Sequence, residues 1–174
     1  PVVPAAPRTF YACVVKRFLD IVFAVLAIIA VLPLMAAVAA AVRLVLGRPI
    51  LFRDERAGRG GDPIEIAKFR SMSQATDQAG NLLADAARLG PFGRFLRRTS
   101  LDELPQLFSV LIGDMSMIGP RPLPRRYVPR YDARQAARLL VRPGLTGWAQ
   151  VKGRNAVDWP ARLELDVRYV EMLG

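Results

Sequence analysis

The hydrophobic pattern of the chain is dominated by one segment near its beginning. From Ile21 to Val42 no charged residue occurs, and at about 1.5 Å per residue such a run makes a helix of roughly 33 Å, enough to cross a bilayer. Pro33 lies near the middle of the run, where it removes a backbone hydrogen bond and clashes with the preceding turn. The pattern therefore predicts a membrane helix that is kinked at Pro33.

Basic residues on both sides leave the topology of this segment open. Lys16 and Arg17 precede it, and Arg43 and Arg48 follow it, so the positive-inside rule gives no orientation for a straight span. A plain transmembrane anchor is the more general interpretation. A helix that enters one leaflet, turns and returns explains both basic ends, provided that the freed backbone groups find partners. A third interpretation is a signal peptide that ends near Ala39, although the apolar run is long for one.

A β-hairpin is predicted after the apolar segment. Residues 50–52 and 64–70 are short runs of strand-forming residues, and the glycine-rich stretch 57–63 between them is typical of a turn. This stretch lacks the lysine and hydroxyl of a Walker loop, so a plain turn is the better interpretation. Lys68 and Arg70 share one face of the second strand and are candidates for binding an anion.

The rest of the pattern is mainly helical. Leu82 to Leu96 is an amphipathic segment that Gly90-Pro91 divides, and it suits a core helix and a helix in the membrane interface equally. Further along, the pattern predicts a buried helix over residues 104–112, a short extended segment within 142–150 and a terminal helix over 161–173. The expected fold class is α+β and mainly helical, with a small β-hairpin.

A segment near the middle of the chain carries the candidate chemistry. Ser100-x-x-Glu103 has the form of a capping box, which predicts Asp102 and Glu103 in the first turn of a helix. For such a motif alone, helix capping is the ordinary explanation, because acidic residues complement the free N–H groups of a helix start. Arg97 precedes the pair, and Arg121 follows it between two prolines that stiffen its backbone. Arginines suit bidentate binding of phosphate, so the segment is a candidate active site for phosphates.

Composition and charge narrow the function classes. The 174-residue chain suits one domain, and its net charge of +10 indicates an acidic partner, which could be nucleic acid, an anionic membrane surface or a phosphorylated substrate. The absence of histidine and the single cysteine, Cys13, exclude a histidine-based triad, a cysteine–histidine pair and a zinc site with the usual ligands. No nucleic-acid-binding motif occurs, so nucleic acid is not the expected partner.

Several ordered motifs resemble those of a known family. They are Lys16-Arg-Phe-Leu-Asp20, Lys68-Phe-Arg-Ser-Met72, Ser100-Leu-Asp-Glu-Leu-Pro-Gln106, Gly113-Asp-Met-Ser116, Gly119-Pro-Arg-Pro122, Arg142-Pro-Gly-Leu-Thr-Gly-Trp148 and Leu165-Asp166. From Lys16 to its end the chain resembles the bacterial sugar transferases. More narrowly, it resembles the small monotopic phosphoglycosyl transferases that initiate glycoconjugate assembly.

The resemblance implies a reaction and a set of site residues. A sugar phosphate would pass from a UDP-sugar to polyprenyl (undecaprenyl) phosphate, with release of UMP and an aspartyl phosphosugar formed on Asp102 as intermediate. Glu103 would hold Mg²⁺ together with Asp102, or assist proton transfer. From this carry-over and from the strand pattern, the expected substrate- or phosphate-binding residues are Arg97, Arg121, Arg154, Lys68, Arg70 and Asp166.

The resemblance also favours a re-entrant helix over the plain anchor. In such enzymes the segment enters and leaves on the cytoplasmic side at a proline, which Pro33 matches, although Leu32 stands where a serine is often found. Lys16 and Arg17 would fix this helix. The expected organisation is a tail over residues 1–15, a re-entrant membrane helix over 16–48 and a catalytic region over 49–174 that forms one domain with the helix.

The same resemblance implies the surroundings of the enzyme. The catalytic region would lie on the cytoplasmic face of the bacterial inner membrane, with amphipathic interfacial helices around the active site. Members of the family usually continue past the position of Gly174 with further apolar helix. Residues 153–156 resemble the element of the small enzymes that use N-acetylated sugars.

Two questions stay open at this point. One is the oligomeric state, for which a homo-oligomer is one possibility. The other is a second function class, a non-enzymatic basic membrane protein that binds anionic lipid or nucleic acid. Such binding would fall steeply with salt and would not depend on Asp102.

Overall fold

The computed structural model describes residue 9 and residues 11–152 and 158–173, and of residues 12 and 13 it describes the backbone alone. The helices are α1 (Lys16–Val45), α2 (Asp85–Arg88), α3 (Pro91–Thr99), α4 (Gln106–Ile112), α5 (Ala133–Ala136), α6 (Trp148–Val151) and α7 (Trp159–Leu173). The strands are β1 (Leu51–Ala57), β2 (Pro63–Phe69), β3 (Ser116–Ile118) and β4 (Gly144–Thr146). The prediction of a mainly helical α+β fold with a long apolar helix near its beginning is confirmed.

The predicted hairpin is present and is longer than its apolar pattern indicates. β1 pairs with β2, and the connection from Gly58 to Asp62 is too short for a parallel crossover, so the two strands are antiparallel. β1 continues to Ala57 through charged residues that are alternately exposed and half-buried. The hydrophobic pattern marks only the beginning of this strand because its second half carries polar side chains.

A second pair of strands is parallel, and the hydrophobic pattern does not predict it as a sheet. Ser116 is in register with Gly144, and Ile118 with Thr146. β4 agrees with the extended segment expected within residues 142–150. Its partner β3 is only 3 residues long, which is too short for an alternating pattern to be recognised.

α1 is the predicted apolar helix. It is 30 residues long and is able to cross a membrane by its length and composition. Many of its apolar side chains are exposed, Ile29 to 65% and Leu32 to 54%, which is a surface suited to an apolar environment outside the protein. The described backbone stays helical through Pro33, and the sharp turn of a re-entrant helix stays a prediction.

Two compact units, each with its own apolar core, make up the described chain. The first unit comprises the described residues of Pro1–Ile28, Asp54–Ile66 and Leu107–Gly174. Its core is formed by Ala24, Ile66, Val110 and Met115.

The second unit comprises Ile29–Arg53 and Ala67–Gln106. Its core brings together residues from α1, β2 and α3, namely Met35, Val38, Val42, Phe69 and Leu96. The predicted division into a tail, a membrane helix and a catalytic region is a functional one, and it stays a prediction.

The amphipathic segment around Gly90 forms two helices, as its Gly-Pro break predicts. Gly90 is the N-cap of α3 and Pro91 is its first residue, a position where the missing N–H of proline costs nothing. Leu96 of α3 is buried, whereas Phe95 is 49% exposed. α3 therefore contributes to the core of the second unit and also carries an exposed aromatic ring. Its location in a membrane interface stays a prediction.

Candidate active site

The acidic pair Asp102 and Glu103 lies on a single 3-10 turn, Leu101–Glu103, in the second unit. Ser100 precedes this turn with a left-handed backbone (φ 58°), and its side chain makes no capping hydrogen bond. The predicted capping box is therefore wrong. Ser100 instead closes the C-terminal end of α3, and the next α-helix starts only at Gln106.

Apolar anchors hold the turn in place. Leu101 and Leu104, which flank the acidic pair in the sequence, pack against the core of the second unit. As a result, Asp102 is only 7% exposed. Burial, and then the adjacent Glu103 carboxylate, raise the pKa of Asp102, and two nearby cations oppose this shift. A desolvated carboxylate with cations beside it is a group suited to nucleophilic chemistry on a phosphate.

Lys68 and Arg97 are these two cations. Lys68 Nζ lies 2.7 Å from Oε1 of Glu103, and Arg97 Nε donates to Ser71 Oγ at 3.0 Å. The positive charges of both lower the pKa of Asp102. Four of the residues singled out in the sequence, two carboxylates and two cations, thus lie together within the second unit.

The end of β2 supplies this site with its partners. Phe69 points into the core, while Lys68 reaches the acidic turn and Ser71 accepts the hydrogen bond from α3. α3 approaches the backbone very closely here, since a Cβ atom on Gly93 would lie 1.8 Å from the carbonyl oxygen of Ser71. Only glycine permits this approach, which brings the Arg97 side chain within reach of the strand.

The side chain of Arg70 hydrogen-bonds to the backbone that follows α1. Arg70 is 6% exposed, its Nη1 donates to the Arg48 carbonyl at 3.0 Å, and its Nη2 donates to the Leu46 carbonyl. These carbonyls follow the C-terminal end of α1, where a cation is favourable. Arg70 therefore ties the end of α1 to β2, and its predicted role as a phosphate ligand stays a prediction.

Arg121 and Asp166 belong to the first unit. Arg121 is an exposed residue. Asp166 is 4% exposed, and its Oδ2 lies 2.8 Å from Nη2 of Arg138. Burial raises the pKa of Asp166, and the charge of Arg138 opposes this shift. Asp166 is thus ion-paired inside the protein, and its role as a substrate ligand stays a prediction. Arg154 lies outside the described residues, and its role stays a prediction as well.

A polar cluster that the sequence interpretation missed surrounds the beginning of α1. Asp20 is 6% exposed and accepts hydrogen bonds from Lys16 Nζ at 3.2 Å, Ser116 Oγ at 2.8 Å and the Met117 N–H at 3.0 Å. Arg17 donates to two carbonyls of α4. The spacing of Lys16 and Asp20, four residues apart on a helix, is the signal that could have found this pair.

Gln106 is a second residue that sequence interpretation left without a role. It is 3% exposed, and its Nε2 is buried without a hydrogen-bond partner among the described residues. Buried amide groups are normally paired, so an unpaired donor that follows the acidic turn is a candidate for contacting a substrate oxygen.

The acidic pair Asp102 and Glu103 is the candidate magnesium site. Among the described residues no group of three or more His, Cys, Asp or Glu side chains is arranged to hold a metal ion. Asp102 and Glu103 offer two carboxylates, and Mg²⁺ is commonly held by one or two carboxylates together with substrate phosphates. After burial, the negative charge of Glu103 raises the pKa of Asp102, and a bound cation would offset this repulsion. The pair therefore fits a magnesium ion that binds together with its substrate.

A buried carboxylate with two cations beside it, in a chain with a long exposed apolar helix, is the arrangement expected of a membrane-associated enzyme for phosphate-group transfer. The chain belongs to the bacterial sugar transferase family, whose model matches residues 11–174. The prediction of a sugar transferase, and with it of an enzyme, is confirmed.

Relatives with curated descriptions agree with this family. The chain is 46% identical to an uncharacterized sugar transferase, EpsL, of Bacillus subtilis, over 91% of this chain and 78% of the relative. It is 46% identical to the UDP-glucose:undecaprenyl-phosphate glucose-1-phosphate transferase of Caulobacter vibrioides, over 90% of this chain and 62% of the relative. It is 40% identical to a UDP-N-acetylgalactosamine-undecaprenyl-phosphate N-acetylgalactosaminephosphotransferase of Aeromonas hydrophila, over 95% of this chain and 41% of the relative.

The fraction of each relative's length that this chain spans differs among the three relatives. The chain spans most of the Bacillus protein but less than two thirds of the Caulobacter and Aeromonas proteins. Two of the three relatives, those of Caulobacter and Aeromonas, are named as UDP-sugar:undecaprenyl-phosphate transferases, which does not favour the alternative of a non-enzymatic basic membrane protein.

Proposed function

We propose that the protein transfers a sugar phosphate from a UDP-sugar to undecaprenyl phosphate, as the first membrane step of glycoconjugate assembly. The observation that carries this proposal is the buried carboxylate of Asp102 beside Glu103, Lys68 and Arg97. The names of the Caulobacter and Aeromonas relatives support a UDP-sugar as donor and undecaprenyl phosphate as acceptor.

The transfer proceeds in two displacements at one phosphorus atom. In the first, a carboxylate oxygen of Asp102 attacks the sugar-bearing phosphorus of the UDP-sugar; a new P–O bond forms, the bond to the bridging oxygen breaks, and UMP leaves with its electron pair. In the second, a phosphate oxygen of undecaprenyl phosphate attacks the phosphorus of the aspartyl phosphosugar. The bond to Asp102 then breaks, which regenerates the carboxylate and gives undecaprenyl diphosphate sugar.

The neighbouring side chains prepare Asp102 for this attack. Burial alone would favour its protonated form, and the charges of Lys68 and Arg97 lower its pKa and so keep the carboxylate available. Asp102 and Glu103 would hold Mg²⁺, which when bound neutralises part of the charge of the diphosphate. Arg121 is proposed as a further phosphate ligand because it is an exposed arginine on a backbone stiffened by two prolines.

The test of this proposal is the variant Asp102→Asn. The wild-type chain, given UDP-sugar but no undecaprenyl phosphate, is expected to release up to one equivalent of UMP and to gain the mass of a phosphosugar on the peptide that contains Asp102. Asp102→Asn should lose UMP release by at least about a thousandfold. Asp85→Asn is the matched control, because Asp85 is an exposed aspartate of the same unit. Wild-type rates in Asp102→Asn would overturn the proposal.

The donor is proposed to be an N-acetylated UDP-sugar. The resemblance of residues 153–156 to the element of enzymes for such sugars supports this, as does the name of the Aeromonas relative. The name of the Caulobacter relative favours glucose instead. A panel of UDP-sugars scored for UMP release decides between them: the highest kcat/KM should belong to an N-acetylated donor, and a preference for UDP-glucose would contradict the proposal.

We further propose that α1 is a re-entrant helix of the bacterial inner membrane, with the catalytic region on the cytoplasmic face. The exposed apolar side chains of the helix and the basic residues at both of its ends support this. In a Cys13→Ser background, cysteines at Phe18 and at Leu44, both exposed, should react with a membrane-impermeant maleimide only when the cytoplasmic side is accessible. Labelling of the two positions from opposite sides would indicate a straight span.

A further inference from the structure

The backbone around Arg121 is held by hydrogen bonds from separate elements of the first unit. The carbonyl of Pro120 accepts from the Gly144 N–H of β4 at 2.8 Å. The carbonyl of Arg121 accepts from Arg138 Nη2 at 2.6 Å. Arg121 is an exposed residue, so its main chain is fixed from inside while the residue itself reaches the surface.

Arg138 is the buried member of this arrangement. It is 3% exposed, and its hydrogen-bonding groups are divided among three partners. Nε and Nη2 lie 3.1 Å and 2.8 Å from Oδ2 of Asp166 on α7, and Nη1 donates to the hydroxyl of Tyr131 at 2.9 Å. The third partner is the Arg121 carbonyl. Because each of the three nitrogens of the Arg138 guanidinium donates to a fixed acceptor, the guanidinium is held in one orientation.

A contribution to stability alone does not explain why the Arg138–Asp166 ion pair is buried. A buried ion pair gains little over apolar side chains of similar volume, because removing two charges from water offsets most of their attraction. What a guanidinium supplies here, and an apolar side chain cannot, is a directed hydrogen bond to the Arg121 carbonyl. The arrangement therefore specifies a backbone position more than it adds to stability.

We propose that Arg138, oriented by Asp166 and Tyr131, is a positioning residue that fixes the backbone of Arg121 so that the Arg121 guanidinium meets a substrate phosphate. This inference rests on the proposed function, in which Arg121 binds phosphate. It also gives Asp166 a role that is different from direct contact with the substrate: Asp166 acts through Arg138.

The test is a double-mutant cycle on kcat/KM, measured for both substrates with the full chain in membranes. Arg121→Ala is expected to lower kcat/KM for one of the two substrates by at least about tenfold. Arg138→Lys keeps a charge for Asp166 but loses the planar fork, and it should lower the same constant by about tenfold, because small displacements of a binding group are costly. In the Arg121→Ala background, Arg138→Lys should change kcat/KM by less than about twofold, since its effect passes through Arg121.

Two further variants keep the test decisive. Tyr131→Phe removes one acceptor of Arg138 while the ion pair stays, and it should give a smaller loss that likewise disappears in the Arg121→Ala background. Arg134→Lys is the matched control, because Arg134 on α5 pairs with Glu164 of the same helix α7 at 2.7 Å. This control should leave kcat/KM unchanged for both substrates.

The outcomes separate the two proposals. An equal loss from Arg138→Lys in the presence and absence of the Arg121 side chain would mean that Arg138 acts only on the structure, and it would overturn the positioning role. So would a wild-type kcat/KM in Arg138→Lys or in Arg121→Ala. In either case Asp102→Asn would still abolish UMP release, whereas failure of the proposed function itself would appear as an active Asp102→Asn.

Discussion

Lys68 Nζ and Glu103 Oε1 form an ion pair at 2.7 Å, and this pair joins the end of β2 to the turn that carries Asp102. Both partners are largely buried, with 18% and 17% of their side chains exposed. Glu103 raises the pKa of Asp102 and Lys68 lowers it. The ion pair therefore places a compensating charge next to the acidic pair, and the ionisation of the proposed nucleophile depends on it.

Removing the charge of Lys68 should change the pH dependence of transfer. Attack requires the ionised form of Asp102, so kcat/KM falls as the pH drops through its pKa. The charge of Lys68 lowers this pKa; Lys68→Met removes that effect, the pKa rises, and the acid limb of the profile should move to higher pH. The measurement is the pH profile of kcat/KM for the UDP-sugar.

A conservative variant separates this charge effect from damage to the fold. Lys68→Arg keeps the positive charge beside Glu103, and its acid limb is expected to stay where the wild-type limb lies. If Lys68→Met loses rate by the same factor at every pH, the charge of Lys68 does not control the ionisation of Asp102.

Asp102→Asn should make the folded protein more stable. Because the pKa of Asp102 is raised in the folded state, the unfolded chain ionises more readily, and the carboxylate disfavours folding at any pH above its folded-state pKa. A neutral amide removes this disadvantage. We expect a gain of about 1 kcal/mol, seen as a rise in Tm of roughly 2–4 °C in detergent for a chain of this size.

The gain from Asp102→Asn should itself depend on pH. It should be full above the folded-state pKa of Asp102 and should vanish as the pH falls below the unfolded-state pKa, where both states carry a protonated carboxyl group. Asp85→Asn, at an exposed site, should leave Tm unchanged over the same range. A lower Tm for Asp102→Asn than for the wild type at neutral pH would contradict the conclusion that the buried carboxylate of Asp102 destabilises the folded state.

The sequence predicted which charged residues come together better than it predicted the local backbone. The acidic motif indicates Asp102 and Glu103, the strand pattern indicates Lys68, and Arg97 is indicated by its position before the acidic pair. The helix start assumed at Ser100 was wrong, since S-x-x-E reports a capping box only if the serine has an extended backbone, whereas Ser100 is left-handed. Backbone handedness at one residue depends on the packing around it and leaves no periodic signal.

The roles of buried polar residues were the least accessible from sequence. Arg70 lies two residues after Lys68, which reaches the acidic turn, yet Arg70 bonds to the carbonyls that follow the end of α1. Asp20 enters the sequence analysis only as the last residue of the motif Lys16-Arg-Phe-Leu-Asp20, and the hydrogen bond that it accepts from Ser116 joins positions 96 residues apart. Such partners are chosen by long-range packing, which single-sequence periodicity does not contain.

Asp20→Asn should destabilise the first unit. Asp20 accepts hydrogen bonds from three groups, on Lys16, Ser116 and Met117. In Asp20→Asn the partly buried Lys16 ammonium loses its opposite charge. We expect a loss of about 1–3 kcal/mol, as for other hydrogen bonds to buried charges. Thermal unfolding in detergent measures it, with the exposed Asp62 of the same unit as the matched position for Asp62→Asn. Equal Tm values for the two variants would contradict the role of this cluster.

Gly93→Ala should damage the candidate active site without touching a charged residue. Its Cβ would lie 1.8 Å from the Ser71 carbonyl oxygen and 2.9 Å from the carbonyl carbon, so α3 has to move away from the backbone of Ser71. Overpacking of this kind costs about 1–3 kcal/mol. The movement also draws Arg97 from Ser71 Oγ, now 3.0 Å from its Nε, so kcat/KM should fall together with Tm.

Gly90 supplies the control for this substitution on the same helix. It caps α3 with a φ of −72°, which alanine adopts freely, and a Cβ there would meet nothing within 4 Å. Gly90→Ala should therefore change the free energy of unfolding by no more than about 0.5 kcal/mol and leave kcat/KM unchanged. If Gly93→Ala behaves like Gly90→Ala, the close contact of α3 with Ser71 does not hold Arg97 in place; if Gly93→Ala alone loses both stability and activity, it does.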